Sequence, residues 1–320
     1  MHKPSWFKKG KTLIVNAKTC GINKDGHEQY IVNPETGIRS NSEIDDDLAE
    51  CCDLIKSGDF SRKEIFYHDT KSVIENDAYV PKYFDYNTII GIQTLIANNN
   101  GLVLKSLGEL RKEKKILLFA GHGSPSSDQR LGEIPYIKVS DLRAGHVNIN
   151  PTNMIPLALA KKFWGSDVSG LNAYDAECVT PQAPPLQGGD WRDLISPERA
   201  SKNIGEFCVL MPGQENAVLT KEVIVIRANT KLFDQFYLLW ALTLKEVVCQ
   251  WERIVFMQTN REDVGKRMNE IMIPIPETRK VADALSNQFR CYYQSLDTAR
   301  KAFVSSIDKS PFNHHIYLGE

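Results

Sequence analysis

Short apolar runs, each bounded by glycine, proline or small polar residues, predict β-strands along much of the chain. The run at 271–276 contains Pro274 and Pro276, which argue against a helix because proline disfavours helical backbone in the residue before it. The predicted strands lie at residues 12–16, 134–139, 146–149, 220–227 and 271–276, and in 30–37, where a strand runs into a turn.

Helices are predicted where capping residues or longer apolar stretches occur. Ser42, followed by acids at 45–47, predicts the start of a helix that runs through Ile55, because acids favour the positive end of the helix dipole. The apolar stretch 233–249 predicts a single buried helix. Pro197 suits the start of a helical turn at 197–202.

The most regular pattern is a narrow apolar stripe over 277–308, a segment that nothing in the sequence interrupts. At 1.5 Å per residue this predicts a helix of about 45 Å. The stripe favours either a partner helix, through a heptad-like seam, or packing on the chain's own body. Its members are Val281, Leu285, Phe289, Tyr292, Leu296, Ala299, Phe303 and Ile307.

These elements predict an α+β protein: a mixed-sheet domain followed by a long C-terminal helix, with a small α/β module before them. The expected boundaries are 1–102 for the N-terminal module, 103–276 for the mixed-sheet domain, 277–310 for the helix and 311–320 for a tail. None of the apolar runs approaches the roughly 20 residues of a membrane span, and the N-terminus lacks the apolar stretch of a signal peptide. A cytoplasmic protein is therefore expected.

Clusters that would suggest metal or acid–base chemistry are weak. The seven cysteines are scattered, without metal or redox spacing, which predicts reduced thiols. Asp45, Asp46 and Asp47 cannot converge on one ion because successive helical side chains point about 100° apart. His122 and His146 lack a recognisable nucleophile or orienting acid, which favours loop or surface histidines over a general base.

Several motifs, in order along the chain, resemble those of the specificity subunits of type I restriction–modification systems. In that family glycine, then isoleucine–proline–aromatic–isoleucine, with Asp–Leu shortly after, marks a target-recognition domain. Residues 132–142 follow this pattern. The remaining similar segments, which end in the Ile-Pro-x-Pro motif before the long helix, are 107–110, 121–125, 222–227, 237–239, 260–264 and 273–276.

The first hundred residues resemble the tail that follows the catalytic domain of adenine-specific DNA methyltransferases. The similar segments are 13–21, 25–26, 45–47 and 79–83. An ordinary specificity subunit has two recognition domains and two conserved helices, whereas this chain has one of each. The resemblance therefore implies that reading both halves of a split site would require two copies.

Catalytic motifs of a methyltransferase are not recognisable in the sequence. The Gly121–Gly123 segment is followed by polar loop residues rather than by a helix that could cradle S-adenosylmethionine. Pro184 and Pro185 lack the polar residue before and the aromatic residue after that amine methylation requires. The expectation is a non-catalytic chain without cofactor or metal.

The resemblance implies sequence-specific binding of double-stranded DNA as the specificity component of a restriction system. The implied partners are a DNA methyltransferase subunit, a restriction subunit and, through the C-terminal helix, a second copy of the chain. Two alternatives stay open: the C-terminal part of a fused adenine methyltransferase, and an oligomerisation scaffold that does not bind DNA.

Side chains that could contact DNA are concentrated in the loop-rich stretch 120–205. Arginine can bind guanine and asparagine or glutamine can bind adenine through paired hydrogen bonds. The alternative for each cation is a solvated surface charge. The candidate cations are Arg130, Lys138, Arg143, Lys161, Lys162, Arg192, Arg199 and Lys202, with Arg261 before the Ile-Pro-x-Pro segment as a phosphate contact or a brace; the candidate amides are Gln129, Asn148, Asn153, Gln182 and Gln187.

The overall charge gives the DNA-binding interpretation no help. The chain carries 39 Lys or Arg against 40 Asp or Glu, and hence a formal net charge of −1. Non-specific DNA binding depends on phosphate contacts and usually shows as a basic excess. The DNA-binding interpretation therefore requires the basic residues to be gathered on one surface.

Overall fold

The computed structural model divides the chain into two compact units, Met1–Asn87 and Thr88–Glu320. The structure describes residues 9–23, 25–62, 64–171, 193–199, 204–258, 261–312 and 314. Within these residues, no helix is both long enough and apolar enough to cross a lipid bilayer.

The first unit contains a small antiparallel sheet, with strand order β1–β5–β4, and a separate hairpin of β2 and β3. Ile14 and Ile65 are buried in it. Its elements are β1 Lys11–Val15, β2 Tyr30–Val32, β3 Arg39–Ile44, α1 Leu48–Ser57, β4 Ser61–Arg62, β5 Ile65–Asp69, α2 Thr70–Glu75 and the 3-10 helix Pro81–Phe84.

The acids before α1 act as backbone acceptors. Asp46 accepts the Leu48 N–H at 2.7 Å, and Asp47 accepts the N–H groups of Lys18 and Thr19. The helix starts at Leu48, and Ser42 lies in β3, so the predicted capping role of Ser42 is wrong. The acids instead join the start of α1 to the segment after β1.

The second unit is built on a four-stranded antiparallel sheet and a smaller mixed sheet. The strand order is β13–β12–β15–β7 in the first sheet and β11–β8–β14 in the second, where β14 runs parallel to β8. Its strands are β6 Leu102–Ser106, β7 Ile116–Ala120, β8 Ile134–Ile137, β9 Leu142–Arg143, β10 His146–Val147, β11 Met154–Ile155, β12 Asp193–Pro197, β13 Cys208–Val209, β14 Val218–Leu219, β15 Val223–Ala228, β16 Phe256–Gln258, β17 Arg261–Asp263 and β18 Met272–Pro276.

Helices flank these strands, and β18 pairs with β6 beside them. The helices are α3 Asn87–Ala97, α4 Leu107–Lys112, α5 Leu157–Trp164, α6 Gln235–Leu242, α7 Lys245–Ile254 and α8 Arg279–Asp308, with 3-10 helices at Ser127–Gln129, Val139–Asp141 and Gly265–Glu270. The predicted α+β class, with a mixed sheet and a long C-terminal helix, is confirmed.

Two predicted elements are wrong in detail. The apolar stretch 233–249 is two helices, because the chain becomes extended at Leu244 between α6 and α7. The predicted helical turn at 197–202 is not formed by its described residues, since Pro197 ends β12 in register with Val223 of β15. Residues 200–203 lie outside the described part of the chain.

An ionic cluster ties α8 to the N-terminus of α6. The Asp234 carboxylate caps α6 by accepting the Phe236 and Tyr237 N–H groups at 3.0 and 3.1 Å. It also accepts the guanidinium groups of Arg279, at 2.9 Å, and Arg290. The first half of α8 is thereby fixed to the body of the second unit.

Candidate nucleic-acid interface

The motif at 132–142 forms the central strand of the mixed sheet. Tyr136 and Ile137 of β8 are buried between β11 and β14. Gly132 lies against the backbone of Ile155, where an added Cβ would come within 2.2 Å of the carbonyl carbon. Glycine is therefore required where β11 approaches the chain before β8, and the motif builds a rigid support.

The end of the motif holds a turn through a buried carboxylate. Asp141 accepts the Lys138 N–H at 2.7 Å, and its own carbonyl accepts the Asn148 N–H at 2.7 Å. Burial raises the pKa of the Asp141 carboxyl, against the lowering effect of the Lys138 N–H and of the Lys138 and Arg143 charges. Lys138 and Arg143 therefore lie near the same acid.

The hairpin of β9 and β10 presents Arg143 at a two-residue turn. Ala144 and Gly145 both have left-handed backbone, at φ values of 49° and 80°, as a type I′ turn requires. Glu206 accepts the Ala144 N–H, and Tyr293 of α8 donates its hydroxyl to the Gly145 carbonyl at 2.7 Å. We call this arrangement the hairpin clamp; Arg143 beside it is exposed.

The loop after β7 and helix α5 pack together on the mixed sheet. Phe163 and Trp164 are partly buried against a cluster formed by Tyr136, Ile155, Ala160 and Val218. An added Cβ on Gly123 would come within 2.3 Å of the Phe163 ring. Lys161 and Lys162 lie on the exposed side of α5.

Four of the described candidate cations form two groups beside β8. Lys138 and Arg143 lie near Asp141, whereas Lys161 and Lys162 share α5. Arg130 is partly buried, with its guanidinium 5.2 Å from the centre of the Tyr136 ring and 3.2 Å from the Pro125 carbonyl oxygen. Lys161 forms an ion pair of 2.9 Å with Asp167.

The other candidates are more dispersed. Arg199 is exposed just after β12, and Arg261 begins β17. Arg192 and Lys202, with the amides Gln182 and Gln187, lie outside the described residues. Gln129 and Asn148 are exposed. Asn153 is 5% exposed, so its proposed role as a base reader is wrong: burial withdraws its amide from a groove.

The two histidines of this region have structural contacts. His122 accepts the Leu219 N–H at Nδ1, 3.0 Å away, which leaves Nε2 to donate to the Ser169 carbonyl at 2.9 Å. Burial lowers the pKa of His122, against the raising effect of the Ser169 carbonyl. His146 pairs with the Tyr292 hydroxyl at 2.8 Å. His122 in its neutral form thus joins β14 to the loop after α5.

Sequence reasoning missed the residues that hold the turn between β9 and β10. Glu206 and Tyr293 are separated from the turn by 62 and 148 positions, so no local pattern could pair them. The local signal was Gly145, because glycine is typical of the second position of a two-residue hairpin turn. Among the described residues, no group of three or more His, Cys, Asp or Glu side chains could hold a metal ion.

Comparison with known proteins gives a partial structural likeness. No family model matches the chain, and no curated protein matches it. Solved structures similar to it include the type I restriction–modification S subunit from M. genitalium, at 12% identity and a TM-score of 0.40, and the HsdS subunit from Thermoanaerobacter tengcongensis, at 17% and 0.34. A third structure, described as showing complex assembly and conformational transition of the type I R-M system, has 18% identity and a TM-score of 0.35.

These likenesses span less than half of the matched proteins. The match to the M. genitalium S subunit covers 64% of this chain and 42% of that protein. The match to the T. tengcongensis HsdS subunit covers 67% of this chain and 46% of that protein, and the match to the third structure covers 69% and 48%.

Proposed function

We propose that the chain binds a specific double-stranded DNA sequence as the specificity component of a restriction–modification system. The observation that carries the proposal is the structure of the 132–142 motif. It forms a buried strand whose end, held by Asp141, leads into a clamped turn that exposes Arg143. Such a rigid support is what direct base readout requires, because contacts must be held in register with the groove.

The proposal divides the chain by function. Residues 1–102 would form the methyltransferase-tail-like module, 103–276 the target-recognition domain, and 277–310 the spacer and dimerisation helix. Catalysis would reside in a partner methyltransferase subunit, with a restriction subunit as a further partner. The chain itself would supply binding and need no cofactor.

The test measures sequence selectivity with and without the partner. Fluorescence anisotropy with a library of random duplexes, at stated salt, is run on the chain alone and on the chain co-expressed with a candidate methyltransferase subunit. Selective binding in either arm supports the proposal. The absence of DNA binding in both arms contradicts it and favours the scaffold alternative.

A single substitution tests whether Arg143, beside the turn between β9 and β10, contacts a base. Arg143→Gln should weaken binding to the selected duplex by about tenfold or more and relax the preference at one base pair, because a good arginine contact discriminates by about 1–3 kcal/mol. Lys245→Gln, at an exposed position at the start of α7, is the control with the same charge change. Equal losses in both variants would contradict a role of Arg143 in base readout.

A further inference from the structure

The densest basic segment of the second unit lies outside the loops that were expected to read DNA. Residues 103–200 contain 12 Lys or Arg and 11 Asp or Glu; five of the former and two of the latter fall within 105–115. Residues 116–200 are left with seven cations against nine acids. The loop-rich stretch after residue 115 therefore has no excess of basic residues with which to neutralise phosphates.

The basic residues of 105–115 are held together by the structure. Glu113 forms ion pairs with Lys105 and, at 2.8 Å, with Lys115. Arg111, Lys112 and Lys114 are exposed around this pair of bridges, whereas the apolar side chains Leu107 and Leu110 of α4 are fully buried. The exposed residues of the segment are thus Arg111, Lys112 and Lys114 with the acids Glu109 and Glu113, and they present little apolar surface.

A second element extends the same surface. The 3-10 helix Gly265–Glu270 packs on α4 so closely that a Cβ on Gly108 would lie 2.9 Å from the Asn269 carbonyl oxygen. Arg111 is three residues after Gly108 and so shares that face of α4. Exposed Lys266 and half-buried Arg267, whose guanidinium pairs with Glu270 at 3.0 Å, belong to the neighbouring helix.

We call these cations the α4 patch: Lys105, Arg111, Lys112, Lys114, Lys115, Lys266 and Arg267. Each of the three acids that lie within these two segments has a hydrogen-bond or ion-pair partner. Glu109 accepts the Ser106 N–H and hydroxyl at 2.7 and 2.9 Å, Glu113 is bridged by Lys105 and Lys115, and Glu270 is bridged by Arg253 and Arg267. Seven cations against three acids leave an excess of four positive charges.

Lys114 occupies a position that normally favours glycine. Its φ is 56°, and the chain closes α4 there, with the Lys115 N–H donating to the Leu110 carbonyl at 2.8 Å. Side chains with a Cβ are disfavoured in this left-handed conformation. The helix dipole would favour cations in the last turn of α4, but it does not explain a lysine in the strained position beyond it.

We propose that the α4 patch binds the phosphate backbone of duplex DNA without reading its sequence. The proposal rests on the proposed function and adds a second contact surface to it. Phosphate is favoured over an acidic protein because lysine is depleted at protein interfaces, which are rich in aromatic residues, methionine and arginine. Contacts of this kind fix register and supply affinity while leaving selectivity to base contacts elsewhere.

The experiment compares two triple variants with equal changes in net charge. The test variant is Arg111→Gln, Lys112→Gln, Lys114→Gln. The control is Lys245→Gln, Lys280→Gln, Lys309→Gln, which removes three exposed cations that do not belong to the patch. Affinity for a random-sequence duplex and for the selected duplex is measured over a salt series by anisotropy, with the methyltransferase subunit present wherever the wild type requires it.

The test variant should lose about tenfold or more in affinity for both duplexes at moderate salt. The slope of log K against log salt should fall by about two to three units, since each phosphate contact contributes about 0.9. The preference for the selected sequence should be kept. Lys114→Gly is a second variant expected to unfold at an equal or higher midpoint, while losing about twofold or more in affinity.

The outcomes separate this inference from the proposed function. If the wild type binds no DNA, both are wrong. If the wild type binds selectively and the test variant keeps the slope of the control, the α4 patch does not contact phosphate. If the test variant keeps DNA binding but loses association with the methyltransferase subunit, the patch binds an acidic protein surface and the inference is also wrong.

Discussion

The turn between β9 and β10 shows how two adjacent residues with similar backbone have opposite requirements. Ala144 is strained by its left-handed conformation, since a residue with a Cβ is disfavoured at a φ of 49°. Gly145 has no such cost, but the space beside it is filled: an added Cβ would lie 2.7 Å from the Tyr293 hydroxyl oxygen. The hairpin clamp thus depends on glycine at one position and tolerates a strained alanine at the other.

Substitutions at these two positions should have opposite effects on stability. Ala144→Gly should stabilise the second unit by about 0.5–1 kcal/mol, because the relief of the left-handed alanine exceeds the greater freedom of glycine in the unfolded chain. Gly145→Ala should destabilise it by about 2 kcal/mol or more, because the new methyl group adds strain and displaces Tyr293. Urea unfolding followed by tryptophan fluorescence measures both. Changes of the same sign would contradict the clamp.

Candidate cations were predictable as residue types, but their partners were not. Loop position and composition identified Arg143 and Lys162, both of which are exposed. Lys161 is instead paired with Asp167, because Gly165 ends α5 in left-handed backbone and the chain turns back towards the last helical turn. Arg130 is turned towards Pro125 and Tyr136 by tertiary packing. Such contacts depend on backbone geometry that side-chain types do not specify.

At the scale of elements, one carboxylate joins two helices. Burial raises the pKa of Asp234, but the adjacent Arg290 and Arg279 charges outweigh it, so the pKa lies below its ordinary value. A depressed pKa in the folded state stabilises the fold above the ordinary carboxyl pKa. That contribution is lost as the pH falls through the folded-state value.

Asp234→Asn should therefore lower the free energy of unfolding at neutral pH. It should also remove part of the loss of stability that the wild type shows on acidification. We expect a loss of about 3 kcal/mol at pH 7, because Arg290 would be left half-buried with its main anion gone. The difference from wild type should shrink as the pH falls below about 4. Asp283→Asn is the matched control, since Asp283 also contacts Arg279 and Arg290 but is 48% exposed.

Urea titrations at several pH values give the comparison. A constant difference between Asp234→Asn and wild type at all pH values would contradict the ionic role of Asp234. An equal loss in Asp283→Asn would show that the buried position of Asp234 does not matter.

The elements themselves were largely predictable, and the exceptions have physical causes. Proline and apolar runs gave β18, and the uninterrupted pattern gave α8 almost to its first residue. The break between α6 and α7 was missed because apolar residues continue across it. At the C-terminal end of α6, the Thr243 hydroxyl donates hydrogen bonds to the Leu239 and Trp240 carbonyls. Side-chain hydrogen bonds of this kind compete with those of the helix backbone, and hydrophobic periodicity does not predict them.

At the scale of the molecule, α8 divides into two halves with different surroundings. Ala282, Ser286, Tyr293 and Asp297 are its buried residues, and no residue from Thr298 to Asp308 is buried. The buried face is offset from the predicted apolar stripe, whose members are half-buried or exposed. The apolar pattern therefore predicts the helix but not the face that packs on the body, because that face contains few large apolar residues.

The exposed half of the stripe leads to a prediction about self-association. Phe303 is 44% exposed, and Leu296 and Ile307 lie on the same side at spacings of seven and four residues. We propose that this half pairs with a second copy, as two half-sites would require. Phe303→Glu should then raise the dimer dissociation constant about tenfold or more, because a charge would be buried in an apolar seam.

Light scattering after size-exclusion chromatography over a concentration series distinguishes the alternatives. Ser305→Glu is the matched control, because it adds the same charge two residues away, about 200° around the helix. A wild type that stays monomeric at all concentrations would refute self-association through α8. A dimer that survives both substitutions would place the contact elsewhere. A dimer lost in Phe303→Glu alone, with DNA affinity per chain unchanged on a single half-site, would separate the pairing of copies from the reading of bases.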